Sequence, residues 1–301
     1  MSHFCFQASQ TQRLERLTLQ VGQEAPPILW KGVGPDDNVH AVFFRQDPVV
    51  FVNENFKAAA ASRQNSNRVL EITGRTPGTG KVKAIEVPRT GDLKTLGEIQ
   101  VDVRNVDVRD ADLTYSGKYL YWHNSTPTSL KAAGPLLFDA TSGDELSQLA
   151  NMQPIRNHGP IPAGLYTFFT RRNPRQNTHE TANLRGKFAY SNGEEGIEFL
   201  TLLHPDPDVS PLERAWGRHR VRLTPDSGNM YGRTGFYIHD SRKGYSSGCI
   251  ETGRTVDGDD FFSFLLAYSN EKNRKSKLRL RVKYSYPEVG TKGKTKETSW
   301  P

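Results

Sequence analysis

Cysteine is scarce in this chain of 301 residues, which holds only Cys5 and Cys249. Two thiols are too few for a disulfide framework, and they lack the paired spacing of a zinc site. Long apolar runs are missing too. None approaches the ~18–20 residues of a membrane-spanning helix, so no helical membrane span is expected. The first 20 residues interrupt each short apolar run with Gln, Arg, Glu or Thr, leaving no hydrophobic leader to read. The expectation is a protein made in the cytoplasm without a classical signal peptide.

What is present is turn-forming and basic. The 26 glycines and 18 prolines lie along the whole sequence and the hydrophobic share is 35%, which fits a folded, turn-rich protein and not a disordered one. The length suggests two domains. A net charge of +7 favours anionic partners without choosing among nucleic acid, anionic lipid and an acidic cell-wall polymer.

The reading along the chain is mainly β. Short alternating or apolar stretches at 39–44, 49–52, 69–73, 81–87 and 97–103, separated by Gly, Pro and Asn clusters, predict an N-terminal immunoglobulin-like β-sandwich over residues 1–105. Residues 55–62 interrupt it with an Ala run read as a short helix or loop. The polar segment 104–112 marks the boundary, and residues 106–301 form a second, mostly β domain. Its strand signals fall at 113–122, as a hairpin around Gly117, and at 136–140, 164–170, 197–203, 220–223, 235–239 and 277–286. One helix is expected over 256–268, where Phe261, Phe264, Leu265 and Tyr268 recur at helical spacing behind Asp257, Asp259 and Asp260. The tail after Pro287 has little apolar content and is expected to be mobile.

Several apparent motifs fail on inspection. Residues 78–81 (GTGK) resemble a phosphate loop, but Val82 replaces the needed hydroxyl residue and a strand follows. His179-Glu180 has Asn183 where a zinc protease needs its second histidine. No metal site and no cofactor is expected. The basic residues of the last strand and tail come without a nucleic-acid-binding fold or an aromatic platform, so they read as solvated and no nucleic-acid partner is expected.

The stretch 233–251, RTGFYIHDSRKGYSSGCIE, is different. A β-type run ends at His239, and a Gly-rich turn delivers Cys249 ten positions later. A thiol with an ordinary pKa of ~8.5 is mostly protonated at neutral pH and needs a nearby imidazole to activate it. The small residues Ser246, Ser247 and Gly248 leave backbone N–H groups open toward a developing oxyanion, where each such donor supplies ~2.7–4 kcal/mol. Cys249 is therefore read as nucleophile, His239 as base, and Ser247 and Gly248 as the oxyanion-side residues. Asp240 is a candidate to orient His239, a role that a backbone carbonyl fills equally well.

Ile238-His239 followed by Ser247-Gly248-Cys249-Ile250 resembles the signature of the L,D-transpeptidases with their YkuD-like catalytic domain. The chain departs from it by having Ser247 in place of a histidine, Glu251 to Gly253 in place of Arg or Asn positions, and a shorter His-to-Cys loop. A closer resemblance is to type VI secreted L,D-transpeptidase effectors, whose Pro-Ile-Pro-x-Gly-x-Tyr, Arg-x-Gly-Phe-x-Ile-His and Ser-x-Gly-Cys-Ile segments correspond to residues 159–166, 233–239 and 246–250. It spans roughly residues 113–286 and leaves the N-terminal part outside.

The resemblance implies that Cys249 attacks the carbonyl after the diamino-acid residue of a peptidoglycan tetrapeptide stem, releases D-alanine and forms a thioester that water or an amine resolves. It further implies an antibacterial effector exported into a rival's periplasm, with a secretion-apparatus component and a cognate immunity protein as partners. Arg233 then either grips a stem carboxylate or structures its turn, Tyr245 either lines the site or packs, and Ser246 is placed with the substrate-binding residues. Residues 159–166 are read as a turn entering a strand. Two rivals stand beside this reading: a non-catalytic peptidoglycan-binding or adaptor protein, and a cysteine endopeptidase or amidase that cuts another bond.

Overall fold

A computed structural model describes residues 5–7, 15–20, 23, 25, 28–31, 39–47, 50–55, 68–75, 77–88, 92–104, 110–123, 136–173, 196–199, 216–253 and 260–295. They fall into two compact units, Met1–Asp107 and Val108–Pro301. The fold is mainly β. Among the described residues no helix is long and apolar enough to cross a membrane.

The first unit contains β1 (Cys5–Gln7), β2 (Arg16–Gln20), β3 (Ile28–Lys31), β4 (Val39–Gln46), β5 (Val50–Asn55), β6 (Arg68–Gly74), β7 (Gly78–Pro88) and β8 (Lys94–Arg104). They form two four-stranded sheets, ordered β1-β3-β6-β5 and β2-β8-β7-β4. The period-2 alternation of apolar residues explains what is buried: Val82 and Ala84 on β7, and Ile99, Val101 and Val103 on β8, all lie in the core. Residues 78–81 open β7 and pair with β8, so the GTGK run is strand. Of the expected interruption at 55–62, residues 56–62 lie outside the described residues.

The second unit contains β9 (Leu113–Tyr115), β10 (Tyr119–Trp122), β11 (Leu136–Asp139), β12 (Thr141–Gly143), β13 (Gly164–Phe169), β14 (Glu198–Phe199), β15 (His219–Gly228), β16 (Phe236–His239), β17 (Ser246–Glu251) and β18 (Lys277–Val282). Its helix α1 (Phe261–Ser269) lies between β17 and β18 in the chain. The ten strands make one sheet, ordered β11-β10-β9-β18-β13-β15-β16-β17-β12, with β14 paired to β15. The strands at its two ends, β11 and β12, are separated in sequence by Ala140 alone, so the sheet has to curl until its edges meet. One apolar core fills it, built from Leu113, Tyr115, Trp122, Tyr166, Phe236, Ile238, Ile250 and the helix residues Phe261, Phe262, Leu265 and Tyr268.

The helix starts later than its sequence pattern suggested. Asp260 caps it by accepting a hydrogen bond from the Ser263 amide at 2.8 Å, which satisfies a first-turn donor; residues 256–259 lie outside the described residues. The strand expected at 220–223 runs from His219 to Gly228. That expected at 197–203 is described only as far as Phe199, with 200–203 outside. The tail differs from the expectation of mobility: Val289, Thr291 and Thr295 are buried. The Thr291 hydroxyl donates to the Ser142 carbonyl at 2.5 Å and that of Thr295 to Glu251 at 2.7 Å. Polar pins, together with the buried Val289, hold this segment as far as residue 295.

Candidate active site

The site grows from β16 and β17, which pair in parallel with Ile238 opposite Ile250 and His239 opposite Glu251. Side chains alternate across a strand, and Phe236, Ile238 and Ile250 face the core. Tyr237, His239, Cys249 and Glu251 therefore share the other face. Cys249 and His239 are diagonal neighbours there, with Cα atoms about 8 Å apart from the strand spacing and rise. Continuing the register gives a row across five strands: Glu198 opposite Arg220, Arg220 opposite His239, His239 opposite Glu251, and Glu251 opposite Thr141.

Both reactive groups are deeply covered, with 5% of Cys249 and 1% of His239 exposed. Burial pushes the Cys249 thiol up to about 11, although the Tyr237 backbone N–H and the charges of Arg220, Lys243 and Arg233 act in the opposite direction. Burial likewise pushes the His239 imidazole down to about 3, helped by Lys243 and Arg220, while the backbone of Trp216 favours the proton. The substrate-free pair is thus a neutral thiol beside a neutral imidazole. The thiol hydrogen-bonds the Gly235 carbonyl at 3.7 Å, and His239 Nε2 lies 2.7 Å from the Ser246 hydroxyl. The two reactive groups do not hydrogen-bond each other.

Around them the chain is tightly fixed. The Ser142 hydroxyl donates to the Cys249 carbonyl at 2.7 Å and accepts from the Ile161 amide at 2.8 Å. That hydroxyl links the nucleophile's backbone to the segment entering β13. Gly248, at φ +92°, lies where the pairing of β17 with β12 shifts register. A Cβ there would stand 2.2 Å from a guanidinium nitrogen of Arg233, so both the backbone conformation and the space require glycine.

The candidate residues divide. Arg233 is buried and donates to the carbonyls of Gln153, Pro160 and Gly159 at 2.5, 2.8 and 2.8 Å; it structures the turn at residues 153–160. Asp240 accepts from the His219 amide and its ring Nδ1, both at 2.8 Å, so it holds His219 and not His239. Ser246 is buried against the imidazole, whereas Ser247 is exposed. The Tyr245 ring lies under the Lys243 ammonium at 4.6 Å.

Residues to which the sequence reading gave no role complete the site. The Arg220 guanidinium is held by Glu198 at 2.5 Å, over the rings of Trp216 and Tyr237 at 5.0 and 4.8 Å. Trp216 in turn stands edge-on to His239 with ring centroids 5.4 Å apart. Glu251 is fully buried and accepts from Ser241, from the Gly244 and Lys243 amides and from Thr295. Burial raises its pKa despite those donors. Its carboxylate ties down the loop between His239 and Cys249. No local pattern announces these residues, since a strand Arg or Glu ordinarily reads as solvated.

No curated protein matches the chain. Among solved structures, the solution structure of Amebosin aligns at 17% identity over 30% of this chain and 88% of that one, with a TM-score of 0.23. A mutant of the SrpA adhesin from Streptococcus sanguinis aligns at 9% identity over 38% of this chain and 67% of that one, with a TM-score of 0.24. Neither likeness is close enough to bear on the fold. Residues 137–277, which take in both Cys249 and His239, match the family model of the Tlde1 domain, a family of type VI secretion L,D-transpeptidase effectors.

Proposed function

We propose that the second unit is a cysteine-dependent L,D-carboxypeptidase or L,D-transpeptidase acting on peptidoglycan tetrapeptide stems. The observation that carries this reading is the placement of Cys249 and His239 on one face of adjacent parallel strands, inside the segment that matches the Tlde1 domain. At rest, burial disfavours both the thiolate and the imidazolium, so moving the thiol proton to the imidazole is uphill. The proton therefore moves together with attack and not before it.

As the sulfur–carbon bond forms at the carbonyl of the diamino-acid residue, the thiol proton passes to His239 and the carbonyl electron pair moves onto its oxygen, giving the oxyanion. The carbon–nitrogen bond then breaks, His239 returns the proton to the departing amine, and D-alanine leaves. Water adding to the thioester restores the thiol and yields a tripeptide; a stem amine or a free D-amino acid adding instead gives cross-linking or exchange. Ser246 orients the imidazole for these transfers.

On this reading the protein is an antibacterial effector that acts in a rival's periplasm, and its producer needs an immunity partner. We read the first unit as an immunoglobulin-like sandwich. Its orders β1-β3-β6-β5 and β4-β7-β8 correspond to the ABED and CFG sheets of that fold, with β2 added beside the last strand.

One observation favours a second reading, a peptidoglycan-binding protein without turnover: the thiol is covered and bonded to a backbone carbonyl instead of to its base. Purified tetrapeptide muropeptides, incubated with the protein and with Cys249→Ala and followed by mass spectrometry, separate the two. D-Alanine release by the unaltered protein alone is expected. Equal release by both would end the cysteine mechanism, and none by either with retained binding would establish the second reading.

A further inference from the structure

Three cations act on Cys249, and two of them are directly occupied. Arg220 is paired with Glu198, and Arg233 is spent on three backbone carbonyls. Lys243 differs. Among the described residues its ammonium has neither a carboxylate within ion-pair distance nor a hydrogen-bond acceptor, and its one close partner is the Tyr245 ring at 4.6 Å.

It is not a loose surface lysine. The residue is half-buried, and its own amide donates to Glu251 at 3.3 Å. Glu251 also holds Ser241 and the Gly244 amide, while Gln148 donates to the Gly244 carbonyl at 2.9 Å. The glutamate that acts on Lys243 electrostatically has its carboxylate directed to these loop donors and to Thr295. A partly desolvated ammonium held this firmly without a contacting anion carries an unrecovered cost, which an anionic ligand removes. Burial lowers its pKa accordingly, while Glu251 and a thiolate at Cys249 act to raise it.

We infer that Lys243 is a specificity-determining residue that receives the free carboxylate of the peptide's terminal residue, directing the site to chain ends. The inference rests on the proposed reading and names the group by which the substrate is selected. The chemistry fits: in a terminal residue the carboxylate follows the scissile amide by one N–Cα and one Cα–C bond, roughly 3 Å of further chain. Lys243 lies on the loop joining His239 to Cys249, and its amide is tied to Glu251, which shares a strand face with the nucleophile, so the loop that carries the ammonium borders the site. Tyr245 acts through Lys243, its ring face seating the ammonium.

The test compares a tetrapeptide stem bearing a free terminal carboxylate with the same peptide as its terminal carboxamide. A charge-assisted hydrogen bond predicts that the unaltered protein prefers the acid by about 10- to 100-fold in kcat/KM. In Lys243→Met that preference should collapse toward one, and in Lys243→Arg it should persist. A merely structural lysine lowers both peptides together and leaves the ratio intact. The same ratio measured by calorimetry as binding to Cys249→Ala needs no turnover, so failed recognition and failed catalysis are read separately. Circular dichroism and melting curves show whether each variant is folded. Equal affinity of the Cys249→Ala protein for acid and amide overturns the assignment, as does a preference that survives Lys243→Met.

Discussion

The neutral resting state of Cys249 has a measurable consequence. Burial raises its pKa to about 11, which disfavours the thiolate. At pH 7 the thiolate fraction is then about 10⁻⁴, a hundredfold below that of an exposed thiol of pKa 9. Alkylation by iodoacetamide in a Cys5→Ser background, followed by mass spectrometry from pH 6 to 10, should be at least a hundredfold slower at pH 7 than for a model thiol. It should also climb about tenfold per pH unit without a plateau. Because His239 bonds Ser246 and not the sulfur, His239→Ala should leave that slope unchanged. A plateau with a midpoint near or below pH 7, abolished by His239→Ala, would refute the reasoning by revealing a preformed thiolate–imidazolium pair.

Other consequences are as direct. His239 is held neutral with a folded pKa of about 3 against an unfolded 6.5; its stabilising contribution is present above pH 6.5 and is lost as pH falls toward 3. Urea denaturation should show about 3 kcal/mol of stability lost between pH 7 and 4, most of it missing in His239→Asn. Gly248→Ala forces a Cβ against Arg233 at a left-handed backbone position and should cost about 2–4 kcal/mol in a denaturation curve. Arg233→Lys replaces a fork that spans three carbonyls with a single point charge, at about 2–4 kcal/mol, and should open residues 153–163 to limited proteolysis. Ser246→Ala removes the imidazole's partner and should lower kcat for D-alanine release about tenfold with little change in KM.

What the sequence disclosed follows the range over which each signal acts. His239 at a strand end and Cys249 after a Gly-rich turn were readable because strand, turn and thiol lie within one short stretch. So were the buried apolar positions of β18, where Leu278, Leu280 and Val282 alternate with basic residues. That the two reactive groups share a face was not readable, because it depends on the register of a parallel pair. The partners of the polar residues were hidden for the same reason. Asp240 looked like an orienting group for its neighbour, but adjacent strand residues point to opposite sides, and its carboxylate meets His219. The two readings of Arg233, gripping a ligand or structuring its turn, could not be told apart until its three carbonyls, about 75 residues earlier in the chain, came into view. Low apolar content suggested a loose tail, since composition does not register hydroxyls that pin a backbone.

That tail carries one more implication. The Thr295 hydroxyl is a donor to the buried carboxylate that anchors the loop between His239 and Cys249, so residue 295 is wired into the candidate site. Shortening the protein to before that threonine, or crowding it with a fused partner, acts as a lesion at Glu251. Such truncations belong with the active-site substitutions when loss of activity is interpreted.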